Sequence, residues 1–391
     1  MTSADAARAP RIAVAGLSAR LVAQSAARAG LNVVALDIFG DRDTREHAGM
    51  WFDIGGTGLS IDRARLYDAL ERAARLPRML GLIVTSGLEP LAGELARAPR
   101  VPRFIGNGAQ AAAVRDPRRF FALLDEERIA HPEMRYTPPA DCNGWLVKRS
   151  DGCGGTHIEW AVDVERVTAD AYFQRLAQGR SMSALFVAAH REAAVIGFAE
   201  QLTVEAGRLP FVHAGSLGPV QLPRHIAARI VEAIDRIVWQ TDLSGLNSID
   251  FLLDGDTFSV LEINTRPSST MALYEAAWPD AWPRGLIGAH LDACLHGELP
   301  HAPDTATRTP PLYAGQRVVF AREGFTASRA FSDACFDDPA CHDVPLAGAR
   351  IEAGQPVCTM TVSAPAFSDL RDALDRERVR ILQRIGTLST S

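Results

Sequence analysis

The segment that most constrains this chain runs from Ser248 to Arg266. Ser248-Ile249-Asp250-Phe251-Leu252-Leu253 leads into a turn at Asp254-Gly255-Asp256, and Phe258-Ser259-Val260-Leu261-Glu262-Ile263-Asn264 leads out of it. Two such runs around a glycine-containing turn predict a β-hairpin. A turn centred near residue 256 sets Asp250 opposite Glu262 and Ser248 opposite Asn264, with directly opposed residues roughly 4.5–5.5 Å apart at Cβ. Side chains alternate along a strand, which gathers Asp250, Glu262 and Asn264 on one face. Ile249, Phe251, Leu253, Leu261 and Ile263 are expected on the other, packed face. Two carboxylates and an amide oxygen are hard donors suited to magnesium ions that bridge nucleotide phosphates. A carboxylate reaching two ions holds them at the separation a phosphoryl transfer needs. For either acid alone a solvated acidic face is the competing reading. The order Glu262-Ile263-Asn264-Thr265-Arg266 favours the metal.

A second segment complements it. Trp145-Leu146-Val147-Lys148-Arg149 reads as a strand, followed by a glycine loop containing Gly152, Gly154 and Gly155. Glycines let backbone N–H groups close on phosphate oxygens and form an anion-binding concavity. Lys148 is the only lysine among 41 basic residues; the rest are arginines. In so arginine-rich a chain, a lone lysine marks a place where an ammonium is required rather than a guanidinium. Lys148 then supplies a point charge for the α and β phosphates. Arg266 offers a planar fork for a γ-phosphoryl group or a carboxylate.

The rest of the chain frames these pieces. A hydrophobic content of 47%, a charged content of 23% and a net charge of −6 give an ordinary globular protein. With no basic run longer than Arg118–Arg119, neither nucleic acid nor an anionic membrane is expected as partner. Apolar runs such as Leu80–Val84 are too short to span a bilayer, and Met1–Pro10 lacks the apolar core of a signal peptide. The six cysteines form no CxxC pair and are expected as reduced thiols of a cytoplasmic protein, with no zinc site. Strands at Arg11–Gly16, Leu31–Ile38 and Leu80–Ser86, alternating with helices at Ser18–Gly30 and Arg63–Arg75, predict a parallel sheet. Gly16-Leu17-Ser18 lacks the spaced glycines of a dinucleotide site. Asp116-Pro117 opens a helix to about Arg128, and Leu222–Gln240 is a long helix with Ile226, Ile230, Ile234 and Ile237 on one side. A Pro-rich connector after Pro300 leads to a β-rich tail, Arg317–Val362, and an amphipathic helix, Phe367–Ile385. The expected class is α/β (α+β overall), divided at residues 1–112, 113–180, 181–300 and 301–391.

In this order the pieces resemble the ATP-grasp fold over roughly residues 10–300, most specifically at Gly245–Arg266. The resemblance implies a Rossmann-like N-terminal domain, a lysine and glycine-loop subdomain, a metal-binding subdomain and a small β-rich C-terminal part. It implies ATP with two magnesium ions, manganese being a substitute. The implied ATP contacts are Lys148, Gly152, Gly154, Gly155, Gln174 and Leu176, and the implied metal ligands are Asp250, Glu262 and Asn264. Lys148 and Arg266 carry the catalytic charge. Phe173-Gln174-Arg175-Leu176 and Gly179 resemble the adenine hinge, with Gln174 where an acid is common. The family's earlier ATP lysine falls near Arg115–Arg119, where only arginines are available.

The implied reaction activates a small-molecule carboxylate as an acyl phosphate and joins it to an amine, with ADP and phosphate released. Gly16-Leu17-Ser18-Ala19-Arg20, Asp37-Ile38-Phe39-Gly40-Asp41, Gln174–Ser183 and Phe211–Ser216 are similar to carboligase-like ATP-grasp proteins of tetrahydromethanopterin-linked one-carbon metabolism. By analogy with tyramine–glutamate ligases, glutamate joined to an aromatic amine in a methanofuran-like carrier is the implied product. Arg149, His157, His213, Ser268 and Ser269 are candidate substrate contacts, and the Phe367–Ile385 helix or the N-terminal domain could support a homodimer. A bicarbonate-using carboxylase is the alternative, although its acid–base glutamate, four residues past the arginine, is Thr270 here. A non-catalytic nucleotide-binding protein is the third reading, and the intact acids argue against it.

Overall fold

Runs of β-branched and aliphatic residues buried on both faces form the first layer. In the computed structural model, which describes residues 9–164, 166–301 and 309–388, β1 (Arg11–Ala15), β2 (Asn32–Asp37), β3 (Ala48–Asp53) and β4 (Met79–Val84) make a parallel sheet of order β3-β2-β1-β4. The edge strand β3 was not foreseen, because Ala48-Gly49-Met50-Trp51-Phe52-Asp53 is half-exposed and has no β-branched residue. Helices Arg20–Arg28 and Arg63–Ala74 cover the sheet, the second capped by Asp62, which accepts from the Arg65 N–H. The chain leaves β1 toward β2 on one side and returns to β4 on the other. That reversal opens a crevice at the carboxyl ends of β1 and β4, where open α/β sheets place ligands. The loops Gly16–Ser18 and Thr85–Glu89 border it, tied by the Leu17 N–H to the Ser86 carbonyl at 2.8 Å.

A small antiparallel sheet follows, β5 (Met134–Arg135), β6 (Trp145–Arg149), β7 (Ile158–Trp160) and β8 (Ala171–Arg175), in the order β5-β8-β6-β7. It is entered through helix Pro117–Glu126, where Asp116 accepts from the Arg118 N–H and Pro117 presets the first turn.

The large layer is an eight-stranded antiparallel sheet built from β9 (Arg180–Ala189), β10 (Glu192–Ala206), β11 (Leu209–Gly218), β12 (Gly245–Asp254), β13 (Thr257–Asn264), β14 (Tyr313–Phe320), β16 (Cys341–His342) and β18 (Pro356–Ala364). Its order is β13-β12-β9-β10-β11-β14-β18-β16, with β15 (Phe325–Thr326) and β17 (Arg350–Ile351) forming a separate pair. Helix Arg224–Thr241 packs Ile226, Ile230, Ile234 and Ile237 against one face, each buried side chain contributing roughly 1.5–3 kcal/mol. Because β14 pairs with β11, Gly215 opposite Arg317, the sheet runs unbroken across residue 300. The C-terminal segment therefore extends the central layer. Helix Asp369–Leu388 lies on it through Leu370, Leu374 and Ile381. The connector expected after Pro300 falls largely outside the described residues. All six cysteines are free thiols, and no helix among the described residues is long and apolar enough to cross a membrane.

Candidate active site

The hairpin forms in the expected register at its functional end: Asp250 opposes Glu262 and Ser248 opposes Asn264. It reaches that register by an unforeseen route. Asp254 pairs with Thr257 across a two-residue turn, a register that carried straight on would set Asp250 against Leu261. Leu261 is instead an extra residue between the Asp250–Glu262 and Phe251–Val260 pairs, a β-bulge that turns Glu262 toward Asp250. The expectation that Leu261 packs with Ile249 and Ile263 is corrected accordingly. Val260 takes the buried place, and Leu261 lines a small cleft.

Asn264 Nδ2 donates to Asp250 Oδ2 at 3.0 Å, and Arg266 Nη2 donates to Asn264 Oδ1 at 3.3 Å. Asp250 Oδ1 and Ser183 Oγ are buried without a hydrogen bond of full geometry among the described residues, and the Ser183 and Gln201 side chains lie close enough to Asp250 to favour its charged form. Burial, and then the Glu262 charge, push the Asp250 carboxyl up to about 7. A buried carboxylate with lone pairs to spare beside a second carboxylate fits a divalent cation, which would satisfy the lone pairs and offset the repulsion. No group of three or more His, Cys, Asp and Glu side chains capable of holding a metal occurs among the described residues. Two carboxylates and an amide leave most of a hexacoordinate shell to phosphate oxygens and water, which is how magnesium is usually held.

Lys148 reaches the same place from β6. Trp145 and Val147 pack with Phe173 and Ala161 on one side of that strand, which sends Lys148 to the other. Its side chain is 4% exposed and makes no hydrogen bond among the described residues. Burial lowers its pKa, and the Glu262 and Asp250 carboxylates oppose that fall. An ammonium held dry, unpaired and facing two acids is poised for an anionic ligand.

The glycine loop is more firmly seated than its composition implied. The Gly154 carbonyl accepts from the His213 N–H at 2.9 Å. A Cβ on Gly152 would strike the His157 side chain, and one on Gly155, where φ is +77°, would lie 1.9 Å from the Phe211 carbonyl oxygen. Only Gly154 faces open space.

At the expected hinge, Gln174 is buried with its amide against Met134 Sδ. The Leu176 N–H is taken by the Gly144 carbonyl at 2.9 Å. Of the arginines near the expected early ATP contact, Arg115 lines the cleft with Arg149, Gly152, His157 and Glu262 and donates to the Ser150 carbonyl at 2.9 Å. Arg118 lies over the Tyr136 ring, and Arg119 pairs with Asp116 at the surface. His157 is buried with Nδ1 unpartnered, and burial together with Arg266 pushes the His213 ring down to about 4. Arg149 pairs with Glu159 at 3.3 Å; Ser268 is buried, and Ser269 is exposed.

Glu89 was missed by sequence reasoning. It follows Gly87 in the loop after β4, at the switch-point crevice, and its buried carboxylate takes Arg266 Nε in an ion pair. An acid just past a strand end and a glycine is the signal that could have found it.

A family model for the ATP-grasp domain matches residues 114–270, which contain Lys148, the glycine loop, the hairpin and Arg266. No curated protein matches the sequence. Solved structures do match the fold. The L-amino acid ligase from Bacillus licheniformis is 13% identical with a TM-score of 0.68, over 95% of this chain and 97% of that one. N5-carboxyaminoimidazole synthase from Aspergillus clavatus, solved with ADP and 5-aminoimidazole ribonucleotide, is 14% identical with a TM-score of 0.65, over 96% and 99%. The biotin carboxylase domain dimer of Hydrogenobacter thermophilus 2-oxoglutarate carboxylase, solved with MgADP and bicarbonate, is 14% identical with a TM-score of 0.69, over 94% and 88%. Residues 114–270 thus match an ATP-grasp domain, and the chain shares its fold with this ligase, this synthase and this carboxylase domain.

Proposed function

We propose that the chain is an ADP-forming carboxylate–amine ligase. The observation that carries this reading is the convergence of Lys148 and Arg266 on a hairpin that holds two buried, mutually repelling carboxylates. Asp250, Glu262 and Asn264 would hold magnesium, which when bound offsets charge on the nucleotide phosphates. A substrate carboxylate oxygen attacks the γ-phosphorus of ATP; the new O–P bond forms as the bond to ADP breaks. Lys148 and Arg266, fixed before the reaction, offset the charge on the transferring group. The amine nitrogen then bonds the acyl carbon, phosphate departs with the activated oxygen, and the amine's surplus proton passes to that phosphate. Arg115 takes the place of the family's earlier lysine. Gly152, Gly154 and Gly155 line the phosphate path, and the hinge offers Gln174 and Leu176 as adenine walls. The Leu176 N–H is already taken by the Gly144 carbonyl.

For substrates, the resemblance supports glutamate and an aromatic amine in a methanofuran-like carrier. Arg149 and His157, on the wall of the cleft, are the acid contacts this reading favours, with His213 and Ser268 as further candidates. The carboxylase reading has support from the structural likeness to a bicarbonate-bound biotin carboxylase. The ligase is favoured because Thr270, in the place of that reaction's acid–base glutamate, is buried and gives its hydroxyl to Ser268 Oγ at 3.2 Å. The test is ADP and phosphate release from MgATP with a panel of glutamate, other amino acids, tyramine and bicarbonate. Release that needs an acid and an amine together supports the ligase. Release with bicarbonate alone overturns it.

A further inference from the structure

Two segments that stand out in the sequence, Gly16–Arg20 and Asp37–Asp41, are not used by the hairpin site. They meet the C-terminal segment around Asp343, and together these wall a cavity of about 680 Å³, a size typical of small-molecule pockets. Its walls are largely apolar: Ile38, Phe39, Leu59, Val318, Leu346 and Val357. One side is charged. Buried Arg20 donates to Asp343 twice, Nε to Oδ1 at 3.0 Å and Nη2 to Oδ2 at 3.1 Å. Asp43 accepts the N–H groups of Asp343 and Val344 and lies 3.6 Å from Arg20 Nε. Asp37 accepts the N–H groups of Ala19 and Gly40 and the Trp51 indole.

Asp41 is different. It lines the cavity, is 6% exposed, and its carboxylate makes no hydrogen bond and no ion pair among the described residues. Four carboxylates thus share one buried guanidinium, and the one without a partner faces the open space. Burial, followed by the charges of Asp343, Asp37 and Asp43, raises the Asp41 carboxyl well above its ordinary value. Arg350 and Glu352, also on the cavity wall, pair with each other at 2.8 Å, so that cation is already matched. The seam is pinned by the Arg42 N–H to the Val344 carbonyl at 3.0 Å and by Arg42 to Asp333 at 2.6 Å, which makes the cavity preformed.

We propose that this cavity binds a small organic cation, an ammonium carried on an apolar body, with Asp41 as its counter-ion. The walls take the body and the carboxylate takes the charge. A neutral isostere leaves Asp41 unpaired, and an anion meets four acids. The proposal does not depend on the ligase reading, since it concerns binding in a different part of the fold.

Ligand-observed NMR on the full chain at neutral pH tests it, with hexylamine and 2-phenylethylamine as probes against hexanol, 2-phenylethanol and hexanoate. The amines are expected to bind about tenfold or more tightly than the alcohols, and hexanoate not at all. Asp41→Asn should erase that preference and leave nucleotide binding unchanged. Leu346→Trp, which fills the cavity without touching the charge, should weaken amine binding by a similar factor. The proposal is overturned if the alcohols bind as well as the amines, if no amine binds, or if Asp41→Asn keeps the preference. Incubation with MgATP and the acid panel, read by mass spectrometry, separates an amine consumed as second substrate from one bound as effector; the site stands in either case.

Discussion

Replacing Glu89 by Gln tests how the N-terminal sheet positions the reacting arginine. The Glu89 and Arg266 side chains are 2% and 11% exposed, and removing one partner of a buried pair costs about 3–5 kcal/mol. Gln preserves the volume and still presents an oxygen to Arg266 Nε. Arg266 also keeps Asn264 Oδ1 and the Pro267 carbonyl, both at 3.3 Å. The expected loss is therefore about 2–3 kcal/mol, below the full range for a stripped partner. Burial would raise the Glu89 carboxyl, but the Arg266 and Arg115 cations outweigh it and hold it below its ordinary value. A carboxyl depressed in the folded state contributes stability that is present above its unfolded pKa, about 4.3. That stability is lost as pH falls through the lower folded value. The difference between parent and variant in urea unfolding should thus be full at pH 7 and shrink once the pH drops below about 4. With Arg266 less rigidly seated, kcat should fall about 10–100-fold while KM for ATP moves less. A variant within about 0.5 kcal/mol of the parent at pH 7, or a gap that persists unchanged into acid, would refute the reasoning.

Further outcomes follow from the same geometry. Lys148→Arg should weaken nucleotide binding about tenfold or more in a fluorescent-ADP titration, since a slot this buried admits an ammonium and not a guanidinium fork. Asp250→Asn should abolish the magnesium-dependent rise in melting temperature with ADP. It should leave the metal-free protein no less stable, because it removes one of two crowded carboxylates. Gly155→Ala should destabilise by more than about 2 kcal/mol in urea unfolding, from a backbone clash added to a left-handed φ. Gly154→Ala, with φ +61° and open space, should lose only about 1 kcal/mol; equal effects at the two glycines would contradict the seating of the loop.

Much of this was legible because it is local. Two β runs around a glycine turn announced the hairpin, alternation put Glu262 and Asn264 on one face, and the 3.6-residue spacing of Ile226, Ile230, Ile234 and Ile237 marked the long helix. The Leu261 bulge was not legible, since a one-residue slip changes no composition. Strand β3 escaped because it is held at a sheet edge by pairing with β2 and not by its own apolar pattern. Glu89 escaped for a deeper reason. Its partner Arg266 lies 177 positions away, and a contact of that separation exists only once the fold has closed. The Asp41 cavity is likewise a product of several separate segments that no single stretch of sequence contains.

Isotope transfer reports on the acyl phosphate itself. Using the acid and amine that together release ADP, the acid's carboxyl oxygens are labelled with 18O and the released phosphate is analysed by mass spectrometry. An acyl phosphate puts one 18O in phosphate, leaves none in nucleotide and yields an amide, and Glu262→Gln should lose the labelled phosphate and the amide. Label appearing in AMP, or phosphate released without label, would contradict it.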